Sequence, residues 1–185
     1  MSARECCYHK AAWVVAQPDR IIENGYVKTA GGKIVEVGSG RIPRGAKVIR
    51  RGPGAIFPGV INSHTHLELC ALKGLVPCDS GFRDWVIRLL EERMKLDLKT
   101  IREYAKKGIV ELSGSGCIAV GEISTLGHTR KPLAESRMAG VWFKEYLGNM
   151  TGADSEQITS MLFKSEENRS SNENLGCSMA IHGPH

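Results

Sequence analysis

Two histidines separated by a single residue are the clearest candidates for chemistry in this sequence. His64 and His66 lie in the segment P-G-V-I-N-S-H-T-H-L-E, residues 58–68, which continues a mostly apolar stretch. Residues two apart in a strand point to the same side, so the two imidazole rings are predicted to project together. Paired neutral imidazoles at the end of a strand suit a divalent metal ion, with zinc preferred and iron as the alternative. Glu68 would point the same way if the strand continues that far.

The elements around this segment fall into two groups. Residues 8–54 carry many glycines and β-branched residues, and Gly31-Gly32 between two such runs indicates a hairpin turn. Further along, strands are predicted at 55–63, 117–123, 141–147 and 177–182, with helical stretches between them. This alternation predicts an α/β fold with right-handed crossovers and a parallel sheet. Four such units make half of an eight-stranded (β/α) barrel, which typically takes about 250 residues.

Several local patterns predict how the helices and strands are used. Thr100 and Glu103 form a capping-box pattern at the start of the second helix. Shorter helices are predicted at 132–138 and 154–165. Glu122 and Glu145 lie on predicted strands and are expected to have hydrogen-bonded structural roles. An apolar stripe in the first helix is predicted to pack in the core; it consists of Phe82, Trp85, Val86, Leu89, Leu90 and Met94.

Three motifs together resemble those of a known family. Residues 58–68 resemble the signature of the amidohydrolase superfamily of metal-dependent hydrolases, and within it the cytosine-deaminase-like and chlorohydrolase-like branch. The run S-G-C-I-A-V-G-E-I-S at 115–124 resembles the second barrel strand of that branch, with Cys117 and Ile118 replacing the usual threonines. I-H-G-P-H at 181–185 resembles its fourth-strand H-x-P motif. The resemblance implies a small β-sandwich, to which residues 1–54 contribute, and a (β/α)₈ TIM-type barrel, of which residues 55–185 supply the first four βα units.

The resemblance also implies roles for individual residues. His64 and His66 match two metal ligands of the first strand, while Glu68 and His182 are expected to contact a small-molecule substrate. Residues 177–185 contain no lysine, which favours a mononuclear deaminase-type site over a binuclear one. Further ligands and the general acid/base are expected beyond residue 185. The chain is therefore predicted to be an incomplete fragment that is inactive on its own.

The implied reaction is hydrolysis of a carbon–nitrogen bond other than a peptide bond, by metal-activated water. Deamination of a heterocyclic or nucleoside-type substrate is the favoured interpretation of the motifs. Three alternatives stay open: a chlorohydrolase, a cyclic amidase, or a fragment without catalytic activity. The pocket and the missing ligands would separate them.

Composition excludes several other classes of function. The net charge is +5, and the densest basic cluster, at residues 41–51, has no interleaved aromatic residues. It is interpreted as a solvated face, so no nucleic-acid partner is predicted. The six cysteines form no C-x-x-C pair, and no apolar run is long enough for a membrane span. A cytoplasmic protein is predicted, and self-association as a homo-oligomer is left open.

Overall fold

The computed structural model describes residues 6–79, 81–147 and 172–182. The chain divides into two compact units, Met1–Gly59 and Val60–His185. Described strands of the first unit are β1 Cys6–Lys10, β2 Trp13–Gln17, β3 Arg20–Glu23, β4 Tyr26–Ala30, β5 Lys33–Gly38, β6 Lys47–Arg50 and β7 Ala55–Ile56.

Two small sheets form the first unit. Their strand orders are β5-β4-β1-β6 and β3-β2-β7. Strands β4 and β5 pair antiparallel around Gly31 and Gly32, whose φ angles of 56° and 77° suit the tight hairpin turn that the sequence predicts. Tyr8, Val14 and Tyr26 are buried in this unit.

The second unit combines a parallel sheet with helices. Its described elements are β8 Val60–Thr65, a 3₁₀ helix Leu67–Leu72, α1 Phe82–Met94, α2 Leu98–Gly114, β9 Cys117–Ser124, α3 Arg130–Ala134, β10 Ala139–Leu147 and β11 Leu175–His182. The strands lie in the order β11-β10-β9-β8, and every neighbouring pair is parallel. The α/β class predicted from the strand–helix alternation is confirmed.

One face of this sheet packs against helices. Ala105 and Ile109 of α2 lie in the same buried cluster as Val120 of β9 and Trp142 of β10. Trp142 is in register with Glu122, so Val120, Glu122 and Trp142 belong to this face, called the helix face below. The positions between them, such as Gly121 and Phe143, belong to the opposite face.

The predicted strand at 55–63 is wrong as a single element. Ala55–Ile56 pairs with β2 in the first unit, whereas Val60–Thr65 pairs with β9 in the second. Pro58 and Gly59 separate the two strands, because proline lacks the N–H that a ladder needs. The assignment of 1–54 to a β-sandwich and 55–185 to a barrel stays a prediction.

Three predictions about helices also need correction. Helix α2 begins at Leu98, and its N-cap is Asp97, which accepts the Thr100 N–H at 2.6 Å; Thr100 is not the cap. Helix α3 spans Arg130–Ala134 rather than 132–138. No residue of α1 is buried, so its apolar stripe does not form core within the described chain, where the helix packs mainly on the 3₁₀ helix. The predicted helix at 154–165 lies outside the described residues.

Candidate metal centre

The two histidines converge at the carboxyl end of β8. The strand ends at Thr65, and His66 is the N-cap residue of the following 3₁₀ helix. The Nε2 atoms of His64 and His66 lie 3.2 Å apart, with their rings edge to face at 5.1 Å between centroids. Two nitrogens on one tetrahedral zinc, each at 2.0–2.1 Å from the metal, would be separated by about 3.3 Å. The spacing therefore matches a shared metal ion.

A β-bulge directs the histidines to one side of the sheet. Asn62 pairs with Val120 and Thr65 with Glu122, so β8 has two residues, Ser63 and His64, opposite the single residue Gly121. Thr65 consequently shares the helix face with its partner. His64 and His66, which flank Thr65, occupy positions on the opposite face.

Two neighbours accommodate the bulge. The Asn62 side chain accepts the backbone N–H of His64 at 3.2 Å, which satisfies a donor that has left the regular ladder. A Cβ atom on Gly121 would lie 2.3 Å from the Ser63 carbonyl oxygen. Only glycine lets β9 approach the bulge this closely. Neither role was anticipated from the sequence, although Asn62 lies within the quoted motif.

A buried carboxylate holds the peptide that follows His66. Glu122 is fully buried and accepts the Leu67 N–H with both carboxylate oxygens, at 2.9 and 3.1 Å. The Thr129 hydroxyl also bonds to Glu122, and Trp142 Nε1 donates to Thr129 Oγ1 at 3.2 Å. Burial raises the pKa of Glu122 to about 8. The hydrogen-bonded structural role predicted for Glu122 matches this arrangement.

Glu68 does not extend the strand, because the chain turns into the 3₁₀ helix after Thr65. The expectation that it points with the histidines along β8 is therefore wrong. Its side chain is buried and accepts hydrogen bonds from Ser124 Oγ at 3.0 Å, Thr125 N–H at 3.1 Å and Leu126 N–H at 3.2 Å. Arg93 of α1 lies 3.7 Å from the same carboxylate. Glu68 thus ties the 3₁₀ helix to the loop after β9, and its substrate contact stays a prediction.

His182 is the last residue of β11. It is in register with Leu147 of β10. Counting by twos from Leu147 leads to Phe143, whose partner on β9 is Ile123, a position on the face opposite the helices. The backbone therefore places residue 182 on the same face as His64 and His66. Its predicted contact with a substrate stays a prediction.

The donor set fits zinc in type and spacing. Imidazole nitrogens are ordinary zinc ligands, and His64 is exposed while His66 is half-buried. Within residues 6–79, 81–147 and 172–182, no group of three or more histidine, cysteine or acidic side chains is placed to hold a metal ion. The described residues thus provide two ligands of a site that normally has three from the protein.

A separate groove of about 590 Å³ lies where α1, the start of α2 and the ends of β9 and β10 meet. Its wall is mostly apolar but includes Arg93, His128 and Lys144. Burial lowers the pKa of Lys144. Neither His64 nor His66 lines this groove, so it does not form part of the candidate metal centre.

Curated relatives cover parts of the chain. It is 28% identical over 134 residues to the aminodeoxyfutalosine deaminase of a Nitratiruptor species, a match that spans 70% of this chain and 32% of the relative. It is 36% identical over 83 residues to the 5-methylthioadenosine/S-adenosylhomocysteine deaminase of Nitratidesulfovibrio vulgaris, which corresponds to 42% of this chain and 19% of the relative. No family model matches the sequence.

Solved structures of other proteins superpose on nearly the whole chain. Aminofutalosine deaminase of Helicobacter pylori, in complex with methylthio-coformycin, superposes with a TM-score of 0.73 at 22% identity, covering 96% of this chain and 44% of that one. The predicted resemblance to the amidohydrolase superfamily is confirmed. Atrazine chlorohydrolase of Arthrobacter aurescens TC1, complexed with zinc, gives a TM-score of 0.75 at 16% identity, over 96% of this chain and 47% of that one.

This amidohydrolase-like chain corresponds to only part of each relative. It spans about a third or less of the curated relatives above, and less than half of the solved chains. At 22% identity or below, the superpositions establish the fold. Among the described residues, no helix is both long and apolar enough to cross a membrane.

Proposed function

We propose that this chain contributes the first metal-binding strand of a metal-dependent hydrolase that deaminates a heterocyclic or nucleoside-type substrate. The observation that carries the proposal is the 3.2 Å approach of the His64 and His66 Nε2 atoms. Two ring nitrogens at this separation share one cation readily. The names of the curated relatives, which are deaminases of aminodeoxyfutalosine and of methylthioadenosine, support the reaction class.

The proposed architecture is half of a (β/α)₈ barrel with part of a small β-sandwich. Four parallel strands, β8 to β11, run in consecutive order with helices packed on one face, as in the first half of such a barrel. The two small sheets of residues 6–56 would belong to the sandwich. Functional groups of these barrels lie at the carboxyl ends of the strands, where β8 carries His64 and where β11 ends at His182.

His64 and His66 would hold the metal ion through Nε2, with zinc preferred and iron as the alternative. A metal bound there lowers the pKa of a bound water toward neutrality. Residue 182 would lie on the same side of the sheet as the histidine pair, where a substrate contact is proposed for it. Glu68 is proposed to contact the substrate, and it also holds the loop after β9 through its hydrogen bonds to Ser124, Thr125 and Leu126.

Zinc titration tests the metal site directly. We expect the chain to bind zinc weakly, in a form that chelators strip easily, because the described residues supply two ligands. His64→Ala should remove most of this binding. His128→Ala is the matched control, since His128 lines the separate groove, and should bind like the wild type. Equal zinc binding by the wild type and His64→Ala would contradict the proposal.

Product analysis tests the reaction class. An enzyme in which this chain is joined to the remaining barrel strands should release ammonia from methylthioadenosine or guanine in a zinc-dependent manner, whereas the chain alone should release none. Chloride release from a chlorotriazine, without ammonia release from either amine, would establish the dechlorinating alternative. Absence of both products at full zinc loading would overturn the assignment as an amidohydrolase enzyme.

A further inference from the structure

We infer that Glu122 is a positioning residue for His66, acting through the Leu67 peptide N–H and not through the imidazole ring. The inference rests on the proposed metal site and extends it to a residue on the neighbouring strand. Glu122 lies 55 positions from Leu67 in sequence, yet both of its carboxylate oxygens accept that N–H. It would fix where His66 presents its ring.

The start of the 3₁₀ helix at His66 lacks a side-chain cap, which explains why the Leu67 N–H needs an acceptor from elsewhere. The first N–H groups of a helix have no partner within the helix, and an N-cap side chain usually supplies one. His66 is the N-cap residue here, but its side chain makes no capping bond. Glu122 accepts the orphan Leu67 N–H instead. The His66 ring is thereby left available for a ligand while the backbone beside it is held.

Glu122 is itself held in place. It is fully buried, and its contact with Thr129 is extended by the hydrogen bond from Trp142 to the Thr129 hydroxyl. A carboxylate on β9 that is tied through Thr129 to Trp142 of β10 has little freedom to follow movements of the 3₁₀ helix. Groups hydrogen-bonded to a ligand's own ring typically contribute about 10–100-fold to metal affinity, and Glu122 acts one peptide further away, so its effect is expected at or below the lower end of that range.

Gly121 provides the second restraint on the same segment. Its missing side chain lets the Ser63 carbonyl lie against β9, immediately before His64. Gly121 and Glu122 thus contact the chain on either side of the two histidines. The short stretch 63–66 is clamped at both ends by consecutive residues of one strand.

Zinc affinity and folding must be separated in the test. Glu122→Leu keeps the volume but removes the acceptor for the Leu67 N–H, whereas Glu122→Gln retains an amide oxygen that can accept it. Competition with a chromophoric chelator would give the zinc dissociation constant, and circular dichroism the melting temperature. We expect Glu122→Leu to weaken zinc binding several-fold, up to about tenfold, with Glu122→Gln close to the wild type.

Matched controls distinguish positioning from a general effect on stability. Glu145→Leu also removes a buried carboxylate, one that accepts the Thr125 hydroxyl at 2.6 Å, and should leave zinc affinity unchanged even where melting falls. If Glu122→Leu does not fold, Glu122→Asp withdraws the acceptor by one methylene and should weaken zinc binding in a folded chain.

The possible results distinguish the positioning role of Glu122 from the metal site itself. Zinc binding that depends on His64 but is the same in the wild type and in the folded Glu122 variants would overturn the positioning role and leave the metal site intact. Binding that does not depend on His64 would overturn both. A loss in Glu122→Leu and Glu122→Asp, with Glu122→Gln and Glu145→Leu unaffected, would establish the role.

Discussion

The two faces of the parallel sheet differ in how far their polar side chains are exposed and hydrogen-bonded. On the face opposite the helices, His64 is exposed, and its ring nitrogen meets that of His66. Toward the helices, the carboxylates of Glu122 and Glu68 are almost completely buried; Glu122 accepts the Leu67 N–H, and Glu68 accepts those of Thr125 and Leu126. Groups suited to a ligand are left accessible, while groups of similar polarity a short way along the chain are saturated by the protein.

This difference distinguishes the side chains proposed to bind the metal from the buried carboxylates that hold the backbone. A buried carboxylate is costly unless hydrogen-bonded, so Glu68 and Glu122 are informative about what they hold. Both hold backbone that adjoins the histidine segment or the loop after β9. Changes at Glu68 should therefore be seen mainly in stability, and changes at His64 or His66 mainly in metal binding.

The largest effect on stability is expected for Glu68→Ala. The substitution leaves the N–H groups of Thr125 and Leu126 and the side chain of Arg93 without their carboxylate partner. Breaking a buried charged pair by removing one member typically costs about 3–5 kcal/mol. We expect a loss of about 3 kcal/mol in the free energy of unfolding, measured by urea denaturation.

The exposed pair between Lys73 and Glu111 provides the control for that measurement. Its atoms lie 2.5 Å apart, closer than those of Glu68 and Arg93, but both side chains are largely solvent-accessible. Water and salt screen such a pair, so Glu111→Gln should leave the urea midpoint unchanged. Similar losses in the two variants would show that burial does not distinguish them.

A smaller effect is expected where β9 meets the bulge. In Gly121→Ala the added methyl group would meet the Ser63 carbonyl at 2.3 Å, so the backbone of β8 must shift. Overpacking of this kind typically costs about 1–3 kcal/mol. Gly176→Ala in β11 is the matched control, because its nearest atoms lie at 3.8 Å. Thermal melts should show a clear loss only for Gly121→Ala, and equal melting temperatures would refute the close approach.

The last effect is a dependence of stability on pH, and it concerns protonation of Glu122. Burial raises its pKa from 4.5 to about 8, so the folded chain binds a proton that the unfolded chain releases. The stability linked to this proton is complete below about pH 4.5 and is lost as the pH rises toward 8. Relative to Glu122→Gln, the wild type should lose up to about 1.4 kcal/mol per pH unit within that window. Parallel urea-denaturation curves for the two proteins from about pH 5 to pH 8 would disprove the shift.

The sequence predicts the ligand pair and the parallel sheet because both depend on local periodicity. Alternation places His64 and His66 together, and the strand–helix order leads to the sheet of β8 to β11. The predicted direction of the Glu68 side chain is wrong because no local sequence signal indicates that β8 ends at Thr65. The strand stops where Leu67 finds a partner on β9, which is a long-range contact that no short window contains.

The errors in helices have the same origin. Thr100 with Glu103 satisfies the capping-box pattern, but Asp97 lies one turn earlier and accepts the Thr100 N–H. The stripe of α1 has helical spacing, yet spacing alone does not supply a surface to cover it. Local spacing correctly predicts that His64 and His66 lie on one side, but it does not predict where an element ends or which surface it packs against.

Because of the bulge in β8, metal binding depends on the number of residues between Ile61 and Thr65 as well as on their types. Ile61 is in register with Ala119, on the face opposite the helices. Plain alternation from Ile61 would send residues 64 and 66 toward the helix layer, and the one inserted residue reverses their phase. Related chains could therefore exchange Ser63 for other residue types, but a net gain or loss of one residue between Ile61 and Thr65 would turn both imidazoles toward the helix layer. An alignment gap at this point would be better evidence of a lost metal site than a substitution beside it.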